Sequence, residues 1–343
     1  MITFYTAGAP SIALSDNALC SELTRTAGWI DVFAPTREEE EALELALGIN
    51  VPTRQEMQAI ELSSRLYQED GILFLTATVL TGATTSNPES SAITFILAGE
   101  KLVTLRYADP AAFAAFRARR EANPHRYQTS YQFLAGLIDA IIERVADILE
   151  GAGADLDQIS LRVFDRPVSG LEHASRNPLS RTPRGKARKA RQRDFVEILT
   201  HIGAASDLVS RARESLVSFV RLMTFFREVR KEEVAARDAL VHSKTVVADL
   251  GSLSDHAGFL ASKVGFLLDA TLGMINNEQN AIIKILSVGA LVFLPPTLIA
   301  GIYGMNFEVM PELRWIYGYP FALSLMVLAA VLPYLFFRRK GWL

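Results

Sequence analysis

The sequence has little cysteine and little net charge, and each shortage excludes a class of protein. Cys20 is the only cysteine in 343 residues, so an internal disulfide is excluded. With 35 basic and 38 acidic residues the formal net charge is −3, which argues against a nucleic-acid partner for the whole chain. The segment from Met1 to Thr6 lacks the basic-then-apolar order of a signal peptide. We therefore expect the soluble part to lie in the cytoplasm.

Motifs for phosphate binding and catalysis are also missing. The sequence contains no Walker A motif and no Gly-rich phosphate loop, so nothing indicates that ATP drives its activity. The five histidines show neither metal-ligand nor catalytic spacing, and we expect surface or satisfied helix residues at His125, His173, His201, His242 and His256. Among them His256 is of most interest, because Asp255 and Asp269 fall on the same predicted helix. We expect no enzyme activity.

Two long uncharged runs lie near the C-terminal end. Residues 285–302 and 319–337 are each about as long as the hydrocarbon core of a bilayer requires. The tail after the second run is basic at Arg338, Arg339 and Lys340, whereas the loop between the runs carries two glutamates and one arginine. By the positive-inside rule we expect the tail, and with it both termini, on the cytoplasmic side of a bacterial inner membrane.

The first 125 residues have the pattern of a mixed α/β domain. Gly99-Glu100 suits a tight hairpin turn, Thr36 suits a helix N-cap, and Pro110 suits the start of a second helix. The acidic run after Thr36 is expected to be a solvated helix start, with a cation site as the alternative. Short β-rich apolar runs occur at residues 2–6, 29–33, 72–79, 92–97 and 101–107.

From about Tyr127 onward the pattern changes to long helices. Apolar spacing predicts one helix over residues 131–149. Residues 176–193 are rich in proline, glycine, arginine and lysine, and we expect an exposed basic linker there; contact with anionic lipid or an acidic neighbour is the alternative. Proline is then absent from Arg184 to Leu294, which predicts one helix from about Asp194 to Arg230 and another from about Glu232 into the membrane.

The last of these helices carries a seam like that of a coiled coil. Its apolar positions alternate at spacings of three and four through Leu250, Leu253, Ala257, Leu260, Val264, Leu267, Thr271 and Met274. A helix continuing to Ile302 has roughly 70 residues and is on the order of 100 Å long. Such a length predicts a bundle, and hence an oligomer.

A smaller and more polar stripe, the expected continuation of that seam, begins just before the first apolar run and continues through it. It consists of Asn280, Ile283, Ser287, Ala290, Leu294, Thr297 and Gly301. The stripe suits a water-filled pore with one copy per subunit, and close helix packing is the alternative. Pro295-Pro296 is tolerated within a span only where freed carbonyls find other donors or water. Because the stripe has no carboxylate, its neutral oxygens suit a divalent cation that keeps its water shell.

The residues around the outer loop resemble a known family. Tyr303-Gly304-Met305-Asn306 follows the first run directly, with Met310-Pro311-Glu312-Leu313 in the loop. Together with Phe293-Leu294-Pro295-Pro296-Thr297 and the tail Arg338–Leu343, these motifs resemble CorA-type divalent-cation channels. The resemblance is close over about a fifth of the chain, roughly Asp269 to Leu343, while the first 125 residues match no motif of the family.

The resemblance implies a homopentameric funnel in a lipid membrane that carries Mg²⁺, and also Co²⁺ and Ni²⁺, down the membrane potential. It implies a selectivity ring of Asn306 beside Gly304 and Met305, apolar constrictions at Ile283 and Leu294, and a basic ring of Lys284 with the tail residues. Asp269 matches a carboxylate that helps to bind regulatory Mg²⁺ between neighbouring subunits, with the partner carboxylate expected from the N-terminal domain. No cofactor beyond Mg²⁺ is expected. Family members often have Met at positions 283 and 294, so the apolar gate differs in shape here.

The expected fold is an α+β cytoplasmic domain followed by long stalk helices and two transmembrane helices. The predicted segments are a cytoplasmic α/β domain (1–125), a helical region (126–230), a stalk helix (231–284), the first span (285–303), an external loop (304–318), the second span (319–337) and a basic tail (338–343). Two other functions stay open. One is a zinc transporter of the related ZntB branch, which Met305 disfavours; the other is a cytosolic sensor or enzyme that two spans merely tether.

Overall fold

The structure of the protein is a computed structural model that describes residues 1–6, 8–14, 19–83, 88–164, 184–305 and 315–340. For residues 184–193 the description covers the backbone alone. The chain divides into two compact units, Met1–Leu267 and Leu268–Leu343. The first unit contains a β-sheet with helices packed on it, and the second contains the apolar C-terminal part of one long helix and a final apolar helix.

The described residues of the first unit form a seven-stranded mixed sheet of order β2-β1-β3-β7-β6-β5-β4. β3 and β7 are parallel, and the other neighbours are antiparallel. The five predicted strands are confirmed, and two short strands at the sheet edges were not predicted. The strands are β1 (Ile2–Tyr5), β2 (Ile12–Ala13), β3 (Trp29–Phe33), β4 (Leu66–Glu69), β5 (Ile72–Thr81), β6 (Glu89–Ala98) and β7 (Lys101–Arg106).

Nine α-helices are found in the described part of the chain. They are α1 (Cys20–Thr26), α2 (Arg37–Leu47), α3 (Arg54–Met57), α4 (Leu62–Arg65), α5 (Ala111–Ala122), α6 (Ser130–Phe164), α7 (Arg184–Arg230), α8 (Arg237–Tyr303) and α9 (Gly318–Arg339). A short 3-10 turn, Val234–Ala236, precedes α8. Pro110 occupies the N-cap position of α5, so this helix begins where the sequence predicted. Gly99 adopts φ +60° in the turn between β6 and β7, which favours glycine.

The predicted N-cap of α2 is confirmed in detail. The Thr36 hydroxyl accepts a hydrogen bond from the Glu39 amide at 3.3 Å, and a Glu39 carboxylate oxygen accepts one from the Thr36 amide at 3.0 Å. This reciprocal pair satisfies two amides that the first helical turn leaves unbonded. Glu39 also binds the N-terminal ammonium at 2.7 Å. The acidic run is therefore a capped helix start that holds the chain terminus.

Both faces of the sheet are covered. On one face Leu43 of α2 and Met57 of α3 join a buried core with Phe74 and Ile96. On the other face aromatic side chains from α5, α6 and α7 pack against the strands, with ring contacts of Trp29 to Phe113, Phe116 and Phe133, and of Phe95 to Phe219. A sheet with helices on both faces supplies the large buried core of this unit.

A buried ion pair joins the two parallel strands. Arg106 on β7 donates two hydrogen bonds to the Asp31 carboxylate on β3, at 3.0 and 2.9 Å, and both side chains are nearly inaccessible. Thr104 donates a third at 2.9 Å and itself accepts one from the Trp29 indole at 3.0 Å. The carboxylate is therefore fully paired, as a charge in a protein core has to be.

Helix α7 begins ten residues earlier than the sequence pattern predicted. The prediction placed its start near Asp194, whereas the structure has it at Arg184, so residues 184–193 continue the helix and are not a linker. Arginine, lysine and alanine favour helix, and no proline interrupts the chain after Pro183. The remainder of the expected basic linker, residues 176–183, lies outside the described residues.

The apolar seam on α8 is buried against its own chain. Leu250, Leu260 and Leu267 are at most 1% exposed. Neighbouring residues of α8 reach α6, since Lys263 pairs with Asp157 at 2.7 Å and the Phe266 ring stacks on Phe164 at 5.8 Å. The seam is therefore buried within one chain, partly against α6, and does not by itself indicate an oligomer. The expectation of an assembly has to rest on the second unit.

Candidate functional site

The second unit contains two helices that are long and apolar enough to cross a membrane. The C-terminal part of α8 and the whole of α9 each include an 18-residue window of mean hydropathy 2.1, with only 6% of that window buried inside the chain. These windows fall on the apolar runs predicted as spans. Helices of this composition with so little of their surface covered need lipid or other helices around them.

The predicted pore residues share one exposed face of α8. They recur at alternating spacings of three and four residues, so they follow a single stripe along the helix. Ile283 and Leu294 are 59% and 68% exposed, although both are large and apolar. The other members are exposed as well: Asn280, Ser287, Ala290, Thr297 and Gly301. The structure thus brings all seven residues together on one uncovered surface.

The opposite face of the same helix is partly shielded. Val288 is 3% exposed, and Ile282, Val292 and Ile299 are partly buried. At 100° per residue these positions lie about half a turn from the stripe. Within this unit α8 is therefore partly covered on one side, although Ile285 on that side is still 63% exposed, and the stripe lies on the more polar side.

The stripe is not a continuation of the seam, contrary to the expectation from sequence. Thr271, a seam residue, is fully buried, whereas Asn280 is exposed. The two positions are about two and a half turns apart and so point in opposite directions. The sequence contained the signal, because the step from Met274 to Asn280 is longer than the three or four residues that keep a stripe on one face.

Two prolines modify the helix in the middle of the stripe. Pro295 and Pro296 lie within α8, and because they carry no N–H, the carbonyls of Leu291 and Val292 lose their usual helical donors. Directly after them the Thr297 hydroxyl donates to the carbonyls of Phe293 and Leu294. The hydroxyl proton of Thr297 is thus committed to its own helix, and its oxygen keeps lone pairs that can accept hydrogen bonds.

Helix α8 ends at the start of the Gly-Met-Asn motif. The Gly304 amide donates to the Ala300 carbonyl at 2.9 Å, and the Met305 amide to the Ile302 carbonyl at 3.3 Å. A Cβ at position 304 would lie 3.0 Å from the Ala300 carbonyl oxygen, which explains glycine there. Asn306, the predicted selectivity residue, lies outside the described residues.

The predicted basic residues lie at one end of the two spans. Lys284 directly precedes the first span, and Arg338, Arg339 and Lys340 follow the second; all four are exposed. Since the chain crosses and returns, both groups belong to the same side of the membrane. Arg338 and Arg339 also occupy the last turn of α9, where the helix dipole favours cations.

Asp269 is exposed and lies about three turns before Asn280, so the two residues share one face of α8. His256 stacks its ring on Phe259, with centroids 6.3 Å apart. Among the residues that the structure describes, no three His, Cys, Asp or Glu side chains are grouped to hold a metal ion. A single chain therefore offers single carboxylates and no assembled metal site in its described part.

Comparison with known proteins identifies the family. The model of the CorA-like Mg²⁺ transporter protein family matches residues 25–174 and 191–339. The chain belongs to this CorA-like family. The magnesium transport protein CorA of Haemophilus influenzae (strain Rd) is 35% identical over 318 residues, which cover 93% of each chain. The relatedness thus extends over the N-terminal domain, where no sequence motif had indicated it.

Solved structures support the CorA-like fold. The CorA magnesium transporter from Methanocaldococcus jannaschii aligns with a TM-score of 0.74 at 18% identity, covering 100% of this chain and 98% of that one. The cytoplasmic domain of ZntB from Vibrio parahaemolyticus aligns with 0.53 at 12% identity, covering 80% and 98%. The protein is accordingly an inner-membrane protein with two spans and a large cytoplasmic domain.

Proposed function

We propose that this CorA-like protein forms a homopentameric channel that admits hydrated Mg²⁺ into the cytoplasm. One observation supports this above the others: the exposed stripe on α8 that runs from Asn280 to Gly301 and leads to Gly304-Met305-Asn306. The curated relatives are named magnesium transport proteins, which indicates transport as the activity and no catalytic reaction.

The stripe requires more than one copy of the chain. Ser287 and Thr297 place polar groups on an otherwise apolar span, with Asn280 just before it, and polar groups inside a bilayer need protein or water partners. A single helix cannot enclose water, whereas copies arranged around an axis place their stripes around one lumen. The resemblance to CorA-type channels implies five copies. In such a ring the freed carbonyls of Leu291 and Val292 find donors in water or in neighbouring helices.

The chemistry of the stripe suits a cation that keeps its water shell. Mg²⁺ releases its waters reluctantly, and those waters donate hydrogen bonds outward. Thr297 presents acceptor lone pairs because its proton is bound to Phe293 and Leu294. We assign the outer ring to the side-chain carbonyl of Asn306, which also accepts from ligand waters. Co²⁺ and Ni²⁺ are further substrates in this proposal, since a pore that binds the water shell discriminates weakly among divalent cations of similar size.

Apolar constrictions provide the gate of the proposed channel, and the membrane potential provides its driving force. Ile283 and Leu294 each form a ring of apolar side chains around the lumen, where dewetting interrupts conduction. A divalent cation that crosses 100 mV inward gains about 4.6 kcal/mol, twice the value for one charge. No nucleotide hydrolysis is needed for accumulation against a modest gradient. Lys284 and the tail residues Arg338, Arg339 and Lys340 form the basic ring at the inner mouth.

Intracellular Mg²⁺ regulates the channel through Asp269 in this proposal. Because Asp269 shares the exposed face of Asn280, five copies bring five carboxylates toward the axis below the span. Their mutual repulsion is relieved when a divalent cation binds between them. Loss of the cation then frees the subunits to separate, which shifts the population toward an open state.

The test of the proposed function is Mg²⁺ uptake into vesicles that contain the purified protein. We expect potential-driven uptake by the unaltered chain, and Asn306→Ala should abolish it. The particle should have a mass about five times the 37.8 kDa of one chain. Unchanged uptake by Asn306→Ala would show that Asn306 does not form the selectivity ring. Absence of any cation flux would favour a cytosolic sensor or enzyme that the two spans merely attach to the membrane. Uptake of Zn²⁺ alone would favour a ZntB-like zinc transporter.

A further inference from the structure

A cleft in the first unit lies far along the chain from the proposed pore residues. It has a volume of about 590 Å³ and is bounded by the loop after α3, the end of α4, strands β5 and β6, and helix α7. Clefts of this volume are typical of sites for small molecules. Met57, Ile60, Leu66 and Val217 form apolar walls, and Thr76, Thr78 and Ser90 form a polar floor.

Helix α7 creates the cleft by closing the open edge of the sheet. Strand β4 pairs with β5 only up to Leu75, so the edge of β5 beyond that point has no strand partner. Ser218 of α7 accepts a hydrogen bond from the Thr78 amide at 2.9 Å, and Ser215 donates one to the Thr78 carbonyl at 2.8 Å. These bonds fix α7 against the edge and hold its arginines at the cleft.

The cleft has an excess of positive charge. Arg65, Arg213 and Arg221 line it together with a single carboxylate, Glu214. In the described part of the chain none of the three arginines forms an ion pair within 4.0 Å. Burial lowers the pKa of the Arg65 guanidinium; Glu214 opposes that shift and Arg221 adds to it, so these groups interact across the cleft.

Two polar atoms of the lining are buried and lack a hydrogen-bond partner. They are Nε of Arg65 and Oγ of Ser90. Arg65 is held in place by a 2.8 Å bond from Nη2 to the Thr78 hydroxyl, so its free Nε–H has a fixed direction. Buried donors of this kind nearly always have a partner, so each of these atoms leaves one hydrogen bond that water or a ligand in the cleft can form after a small rotation of the side chain.

From these observations we propose that the cleft binds a phosphate group carried by a small organic molecule. Guanidinium groups bind phosphate oxygens through paired, charge-assisted hydrogen bonds. The three arginines carry three positive charges, of which the single carboxylate of Glu214 neutralises one. The hydroxyl of Ser90 supplies a further donor. The apolar walls accept the organic part of the ligand, so a phosphate ester fits the cleft better than inorganic phosphate does. This site is independent of ion conduction and does not rest on the proposed function.

The test is calorimetric titration of the full chain in detergent with inorganic phosphate and with AMP in Mg²⁺-free buffer. AMP combines one phosphate group with a flat aromatic base that can stack on apolar side chains, and it binds Mg²⁺ weakly, which keeps the metal out of the measurement. We expect both probes to bind, AMP more tightly, and the affinity to fall as salt rises. The double variant Arg213→Gln/Arg221→Gln should weaken AMP binding about tenfold or more, since each charge-assisted bond is strong. Both arginines are exposed, so the variant should still fold.

Two further variants make the result decisive. Arg227→Gln removes the same charge from the same helix outside the cleft and should leave AMP binding unchanged. Ser90→Ala removes a hydroxyl without a partner, so it should weaken AMP binding several-fold without lowering the unfolding temperature. The proposal is overturned if neither probe binds at millimolar concentration, if chloride competes as well as phosphate does, or if the double variant and Arg227→Gln behave alike.

Discussion

At the scale of single residues, the hydroxyl of Thr297 has fixed donor and acceptor roles. Its proton is donated to the carbonyls of Phe293 and Leu294, so only its lone pairs face outward. We expect Thr297→Val, which keeps the shape and removes the oxygen, to lower Mg²⁺ uptake about fivefold or more, because a hydrogen bond contributes about 1 kcal/mol. Thr297→Ser should retain most of the uptake. Vesicle uptake at fixed membrane potential measures the effect.

The second span provides a matched control for this prediction. Ser324 of α9 is also exposed and donates its hydroxyl to its own helix, to the Pro320 carbonyl at 2.7 Å. Since α9 lies outside the proposed lumen, Ser324→Ala should leave uptake unchanged. If both variants lowered uptake equally, the loss would reflect damage to helices in general and not a water-lined stripe.

At the scale of elements, helix α8 has two distinct faces within the second unit. Asn280 belongs to the exposed stripe, while Ile282 is partly buried on the opposite side. We expect a charged, membrane-impermeant thiol reagent to reduce Mg²⁺ uptake by more than half in Asn280→Cys, because the reagent then occupies the lumen. Uptake by Ile282→Cys should stay unchanged. Block of equal size at both positions would contradict the assignment of faces.

The native chain suits this experiment because its only cysteine is inert. Cys20 is 1% exposed in the first unit, and burial raises the pKa of its thiol, so the reactive thiolate is scarce at neutral pH. The unaltered protein should therefore keep full uptake after treatment with the reagent, and it serves as the baseline for both cysteine variants.

Local features of the elements were predictable from sequence, and features that depend on distant segments were not. The cap at Thr36, the turn at Gly99 and the apolar spans follow from neighbouring residues. The start of α7 was misplaced because charge suggested solvent exposure, although arginine and lysine also favour helix. The cleft joins Arg65 with arginines about 150 positions away along the chain, and no local pattern encodes such a juxtaposition.

At the scale of the whole molecule, the burial of each apolar surface of α8 decides which unit needs a partner chain. The seam around Leu260 is covered by α6 of the same chain, so the first unit does not require other copies. The stripe from Asn280 to Gly301 is exposed on a membrane-length helix, so the second unit does. Assembly is therefore expected to depend on the second unit. Regulation is expected to depend on a side chain whose interactions change with the distance between its copies in neighbouring subunits.

Asp269 is that group in the proposed channel, and its role can be tested by protection from protease. Mg²⁺ bound between the carboxylates of neighbouring copies should stabilise the closed assembly by mass action. We expect Asp269→Lys to raise the Mg²⁺ concentration needed for half-maximal protection about tenfold or more, which corresponds to about 1.4 kcal/mol. Asp249→Lys, at an exposed carboxylate elsewhere on α8, should leave that concentration unchanged. An identical Mg²⁺ dependence for Asp269→Lys and the unaltered chain would show that the sensor lies in other carboxylates. A parallel shift in both variants would instead mean that the general charge of α8 governs protection, and Asp269 would then have no specific role.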